Sequence, residues 1–507
     1  MVGAMNVALE RAGRMLPWLA GVVMSLGLVI TARQTTPLAL VALPAAVTFA
    51  LAVLRWPWIA YAALIASVPV QQLGAAGAGG AALTATRACF VIALGAYLVA
   101  LTVQRRPVVL TPLLVPFTML VVWMLATTLV ATNHGAALAE ASRWCIALVA
   151  FVIGLQFLAG APDRRLIGVV CVMAAAGALE AAIGSIRGLL ALGPESFAVG
   201  TAFARAYGTF GRPNTFAGYL EMTVFPAFWL GVAALPLIRR QYRVYLGARN
   251  AGFAASVAER RALVWSVAMA AFLLGCSAAM LGGIALSYSR GAWLGAAAGI
   301  GLTVSVRLWR YWPVALAAAP LIALVIVAGG ARVAPQALTE RITSIADEAR
   351  PFDAAAVPIT DENFAVAERM AHWQAGWHMF EDHPVAGVGT GNFNARYPDY
   401  FVRAEFRFSQ GHAHNYYIHA LAETGIIGLA LYLTLILSFF IVALRVAAGG
   451  DDALASALAL GALGTMTAMY VHNFFENLHV LNLSVQLGAT WALLLAARER
   501  GRRSRAT

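Results

Sequence analysis

The stretch Gly411-His412-Ala413-His414-Asn415, with Glu423, Gly425 and Gly428 after it, places two imidazoles one residue apart. An imidazole titrates near neutral pH and can take a proton from a hydroxyl, so His414 is a candidate general base. Two histidines can also hold a metal, but no Cys, Asp or Glu stands at the recognisable spacing of a zinc site. We expect no metal and no cofactor. Read alone, the pair is better taken as hydrogen-bonded histidines at a membrane edge.

Two other stretches carry cations. In Ala204-Arg205-Ala206-Tyr207-Gly208-Thr209-Phe210-Gly211-Arg212-Pro213-Asn214, two Arg flank a Gly-rich turn that leads into a helix bearing Glu221. A guanidinium fork pairs with phosphate oxygens through charge-assisted hydrogen bonds, while Asn214 can cap the helix that follows. In Tyr288-Ser289-Arg290-Gly291-Ala292-Trp293-Leu294-Gly295, Arg290 has no acidic sequence neighbour, and the glycines allow close helix packing.

The elements that position these groups are apolar. The chain of 507 residues is 61% hydrophobic and 11% charged, where a soluble domain is about a quarter charged. A helix needs about 20 apolar residues to cross a bilayer. Candidate spans fall near 16–32, 37–54, 56–71, 82–103, 108–131, 142–160, 166–190, 215–238, 262–287, 291–306, 313–330, 420–444, 453–474 and 479–497. Tight pairs at 37–71 and 291–330 leave the count at twelve to fourteen. The expected fold is an all-α polytopic transmembrane helical bundle. Its parts are N-terminal helices over 1–200, central helices with the Arg motifs over 201–330, a long loop over 331–414, and C-terminal helices with a basic tail over 415–507. The run at 16–32 has no convincing cleavage site after it and reads as a retained first helix. Cys89, Cys145, Cys171 and Cys276 lie in apolar runs without paired spacing and read as small hydrophobes.

The net charge is +12, and all the basic residues are Arg. Most sit in short loops, the positive-inside pattern of a membrane protein, so the charge does not point to nucleic acid. With both termini in the cytoplasm, that side receives Arg105, Arg106, Arg164, Arg165, Arg239, Arg240, Arg307, Arg310, Arg445 and the tail from Arg498 to Arg505. The long loop then lies outside. So do Arg205, Arg212, Arg290 and the loop's Arg369, against the trend, which suggests an anionic ligand at the outer leaflet. The segment 368–380 spaces Trp373, Trp377 and Phe380 like one face of an interfacial helix. His472, Asn473, Glu476 and His479 form a second outer polar cluster, with structural hydrogen bonding as its default role.

Taken in order, these stretches resemble the O-antigen ligase and polymerase superfamily of membrane glycosyltransferases. The resemblance rests on His414-Asn415, nine residues, Gly425, two residues, Gly428, on Ser289-Arg290-Gly291, and on Arg205…Gly208…Pro213-Asn214. It also rests on the run Arg369…Trp373…Asp382-His383-Pro384…Gly387-Val388-Gly389-Thr390-Gly391-Asn392-Phe393. It covers roughly 200–490. It implies a GT-C-like bundle in the bacterial inner membrane, with a periplasmic loop, that moves a glycan from a polyprenyl-diphosphate donor to an acceptor hydroxyl such as lipid A-core. By resemblance, Arg205 and Arg290 stabilise the leaving diphosphate and His414 is the base of an inverting, metal-independent transfer. Arg212, Asn214, Tyr288, Arg369, His412 and Asn415 then line the substrate site. A repeat-unit polymerase, a protein O-oligosaccharyltransferase and a membrane transporter are the competing readings. A transporter predicts inverted repeats and helices broken at the midplane; the sequence shows no repeat and gathers its charged motifs at one face.

Overall fold

The computed structural model describes residues 47–71, 84–103, 107–199, 203–250, 257–309, 352–360, 363–449 and 452–506. Its helices of ten or more residues are α1 (Trp58–Ser67), α2 (Ala85–Thr102), α3 (Leu114–Thr127), α4 (His134–Leu158), α5 (Asp163–Leu189), α6 (Pro213–Asn250), α7 (Val257–Leu286), α8 (Arg290–Arg307), α9 (Phe364–Asp382), α10 (Tyr416–Ala448), α11 (Ala453–His472) and α12 (Leu483–Ala506). Only Ala198–Val199 and Phe203–Ala204 pair as strands among the described residues. The all-α expectation holds, and the chain is a multi-pass membrane protein.

Seven of these helices, α2, α4, α5, α6, α7, α10 and α11, are long and apolar enough to cross a bilayer. Shorter apolar helices, α1 and α3, occupy the expected spans at 56–71 and 108–131. α8 and α12 fall on two further expected spans, and α12 runs on into the Arg-rich tail. The expected spans at 16–32 and 313–330, most of 37–54, and the loop residues 331–351 lie outside the described residues.

Met1–Leu64 with Cys89–Pro107 forms one compact unit, and Ile65–Ala88 with Val108–Thr507 forms the other. All the candidate residues belong to the second. Within it, α6 packs on α7 and α11, α8 on α11, α10 on α3, α9 and α11, and α12 on α4 and α11. Lipid gives apolar side chains no reason to prefer each other, so helices associate through close packing at small residues. α11 fits this rule: its Ala- and Gly-rich sequence is buried nearly all round. Aromatic rings fill the wider gaps, with Phe439 stacked on Trp491 at 4.2 Å and Phe117 and Phe151 meeting Trp491 edge-on.

The basic end of the bundle is tied by Arg500, which pairs with Asp163 at the start of α5 and Asp452 at the cap of α11. At the other end, α10 is broken. Gly425 takes φ 65° and ψ −169° inside it, and the break exposes backbone groups to the loop before it. Val388 N–H donates to Ala422 O at 2.8 Å, and Ile426 N–H donates to Pro384 O at 2.9 Å. A Cβ on Gly425 would collide with the Val385 carbonyl, and its positive φ disfavours any L side chain. Glu423 continues the same docking, accepting from Gly391 N at 2.7 Å and Phe393 N at 2.9 Å. Asn392 fastens the loop to α4 by accepting from Asn133 N at 2.7 Å and Thr132 Oγ1 at 3.1 Å. The glycine and asparagine landmarks of the sequence are therefore the fastening of the long loop onto the bundle.

Candidate active site

Four segments meet at the end away from the basic tail: 205–214, 287–290, 409–415 and 472–479. The first is anchored by Ala206 N–H on Leu286 O at 2.8 Å and by Arg205 Nε on Ser287 O at 2.9 Å. This places the two sequence-distant Arg motifs side by side. Arg205 Nη2 also donates to Asn214 Oδ1 at 3.0 Å, and Asn214 Nδ2 donates to Glu476 Oε2 at 2.5 Å. The Asn214 side chain thus bridges Arg205 to Glu476.

Glu476 carries the network onward. Its Oε1 lies 3.1 Å from His412 Nε2 and 3.8 Å from His414 Nδ1. His412 Nδ1 accepts the His414 backbone N–H at 3.1 Å, which fixes the His412 proton on Nε2, facing the carboxylate. The chain passes through His414 in a left-handed turn, φ 53°, an uncommon conformation for a side chain of this size. Trp373 Nε1 on the His414 carbonyl at 3.4 Å, and Tyr416 N–H on Asn473 O at 2.8 Å, hold that turn in place. Both ring nitrogens of His414 are buried without a hydrogen-bond partner among the described residues. An imidazole held this way keeps a hydrogen-bonding capacity that no described residue uses.

The charges follow from burial and neighbours. Burial, then the neighbouring His412, pushes the His414 imidazole well below its ordinary value, while Glu476 pulls the other way. Burial also lowers His412. For Glu476, burial works to raise the carboxyl, but His412, His414, the Asn214 amide and Arg369 outweigh it and keep the group ionised. The site holds an anion at Glu476 beside two imidazoles that burial favours as neutral.

The other expected residues fall in different places. Arg212 is exposed on the same face, and Arg369, on α9, is half-buried near His414. Tyr288 is 7% exposed, with its ring against Phe203 and Trp293 and a φ of 51°, so it shapes the turn before Arg290. Asn415 caps α10, accepting from Tyr417 N and Ile418 N. Helix α9 exists as the spacing of Trp373, Trp377 and Phe380 predicts, and its buried face includes His372, whose Nε2 accepts Gln410 N–H at 3.2 Å and steadies the loop before His412.

No third ligand for the histidines stands at a recognisable spacing in the sequence, and here the structure differs. Glu476, from the segment between α11 and α12, brings a carboxylate oxygen to within 4.8 Å of ring nitrogens of both His412 and His414. Among the described residues, these three are the group that could hold a metal. Their spacings of 3.1 and 3.8 Å suit ligands 2.0–2.2 Å from one zinc ion, but His412 Nδ1 accepts the His414 N–H, so in this arrangement a proton stands where a metal would. The geometry fits a hydrogen-bonded acid and imidazole pair beside a free base. Glu476 was visible in the sequence only as part of an outer polar cluster with no assigned role.

Residues 275–433 match the family model described as O-Antigen ligase. The segment holds Ser289-Arg290, α9, the docked loop, His414 and the break in α10. The match supports the O-antigen ligase superfamily and suggests a membrane glycosyltransferase-like enzyme, for which the family implies glycolipid substrates. No curated protein matches the chain.

Proposed function

We propose that the chain transfers a glycan from a polyprenyl-diphosphate donor to an acceptor hydroxyl at the outer face of the bacterial inner membrane, in the manner of an O-antigen ligase. The observation that carries this reading is the hydrogen-bonded line from Arg205 through Asn214 and Glu476 to His412 and the turn at His414. It joins a phosphate-binding type of side chain to an unpartnered imidazole on one polar floor.

The acceptor oxygen attacks the anomeric carbon and its proton passes to His414. The bond from that carbon to the diphosphate oxygen breaks, and its electron pair leaves with the lipid diphosphate. Negative charge grows on the leaving group, and in this reading Arg205 and Arg290 stabilise it, with Arg212 as a further contact. Base catalysis supplies about 10²–10⁴-fold. Glu476 sits where it favours the imidazolium that forms. Attack opposite the leaving group inverts the anomeric centre, and fixed guanidinium cations do the work a metal would otherwise do.

The test is reconstitution. The purified protein in phospholipid vesicles receives a polyprenyl-diphosphate glycan and a core-type glycolipid acceptor. The reading predicts a larger glycolipid, free polyprenyl diphosphate and an inverted anomeric configuration by NMR. A retained configuration, or release of glycan to water alone, contradicts it.

A further inference from the structure

Behind Arg290, three side chains from three helices stand in line. Glu221 Oε2, on α6, lies 2.8 Å from His472 Nδ1, the last residue of α11. His472 Nε2 lies 3.3 Å from Ser289 Oγ, the N-cap of α8. Their exposures are 0%, 1% and 3%. Titratable groups this deep in a membrane protein are costly and rarely without purpose.

The order of acid, imidazole and hydroxyl is that of a hydrolase triad. The surroundings are not. Ser289 Oγ accepts the Ala292 N–H of the helix it caps, at 3.4 Å, so the hydroxyl is engaged in holding the turn. The helices close in on the line as well: a Cβ on Gly291 would lie 2.6 Å from His472 Cδ2, and one on Gly295 2.5 Å from Glu221 Oε1. What the line does hold is the turn that aims Arg290. Tyr288 is in the left-handed region, Ser289 is extended at φ −89° and ψ 108°, and Arg290 opens α8. Arg205 grips the same turn from its other side, through Ser287 O.

We propose that Glu221 and His472 are positioning residues for Arg290. The carboxylate holds the imidazole proton on Nδ1. Nε2 then accepts the Ser289 hydroxyl, and the locked Ser289 sets the direction in which the next side chain leaves the backbone. In this arrangement the Glu221-His472-Ser289 line presents the Arg290 guanidinium to the diphosphate of the donor, an inference that rests on the transferase reading above.

The experiment has two independent readouts on the full-length protein in vesicles. One is the rate at which phenylglyoxal modifies Arg290, followed by mass spectrometry; the other is kcat and KM for glycan transfer. Ser289→Ala should speed Arg290 modification at least threefold. It should lower kcat at least tenfold with donor KM within threefold, because the interaction lost is made mainly in the transition state. Ser289→Thr, which keeps the hydroxyl, should restore both. Adding Ser289→Ala to Arg290→Lys should cost no further rate, since both act through one contact. Glu221→Gln should follow Ser289→Ala; if it fails to accumulate, the Ser289 pair carries the test. Unchanged Arg290 modification, with activity lost only in proportion to folded protein, overturns the proposal. A response of Arg290 modification in a protein that transfers no glycan leaves the positioning line standing and removes the transferase reading.

Discussion

Glu476 Oε1 lies 3.8 Å from His414 Nδ1, too far for a hydrogen bond to the neutral ring and close enough to attract the ring once it is protonated. The carboxylate is held at that distance by bonds to other groups, Asn214 Nδ2 and His412 Nε2. A carboxylate in such a place acts when the base takes its proton and contributes little before. Glu476→Gln should therefore lower kcat on the order of ten- to a hundredfold, about 1.4–2.7 kcal/mol of barrier, with KM nearly unchanged. A purely raised KM in steady-state assays would place Glu476 in substrate binding instead.

The same relationship sets a pH dependence. Burial holds the His414 imidazole well below the ordinary histidine value of about 6.5, with Glu476 opposing. The base stays unprotonated from pH 8 down through 6.5, so kcat should be flat across that interval and fall only at lower pH. Removing the Glu476 charge removes the opposing influence, and the acid limb of the Glu476→Gln profile should move to still lower pH. A wild-type rate already halved at pH 7 would contradict this assignment.

Chelation is a third check. His412 Nδ1 accepts the His414 N–H, which leaves a proton rather than a lone pair facing Glu476. Treatment with EDTA followed by dialysis should leave the transfer rate within twofold. A rate abolished by EDTA and restored by zinc would turn His412, His414 and Glu476 into a metal centre.

Gly425 tests the docking of the loop. Its backbone, at φ 65° and ψ −169°, lies in a region essentially reserved for glycine and costs another residue roughly 1–3 kcal/mol, and the Val385 carbonyl occupies the space of a Cβ. Gly425→Ala should lower the melting temperature in detergent and open the segment 384–393 to proteolysis. An unchanged melting curve together with an uncut loop would show that the break in α10 is not what fastens it.

The fold was legible wherever it depended on apolar length alone. The runs at 142–160, 166–190, 215–238, 262–287, 420–444 and 453–474 became α4, α5, α6, α7, α10 and α11, because a bilayer imposes one structure on such a run. Short spacing was legible too, as in His414-Asn415 before Gly425. The roles of these residues were less so. Asn415 and Gly425 turn out to shape α10, and Tyr288 shapes a turn, since burial and backbone angles have no sequence mark. Glu476 and His472 stayed without a role because their partners come from elsewhere in the chain: Asn214 is 262 residues from Glu476, and Glu221 is 251 residues from His472. Only the packing of α6 against α11 brings these pairs together, and no local pattern encodes it.

The most direct measurement of the central claim is a gel of surface and lipid-linked glycan from cells lacking the gene, complemented with the wild-type copy or with His414→Ala. The account predicts that the variant accumulates in the membrane at the wild-type level, yet leaves long glycan chains on the polyprenyl carrier and none on the acceptor. Normal attachment by the His414→Ala protein would remove His414 as the base. Single repeat units in place of long chains would make the chain a polymerase, and an unchanged glycan profile in the gene-deleted cells would set aside glycan transfer of either kind.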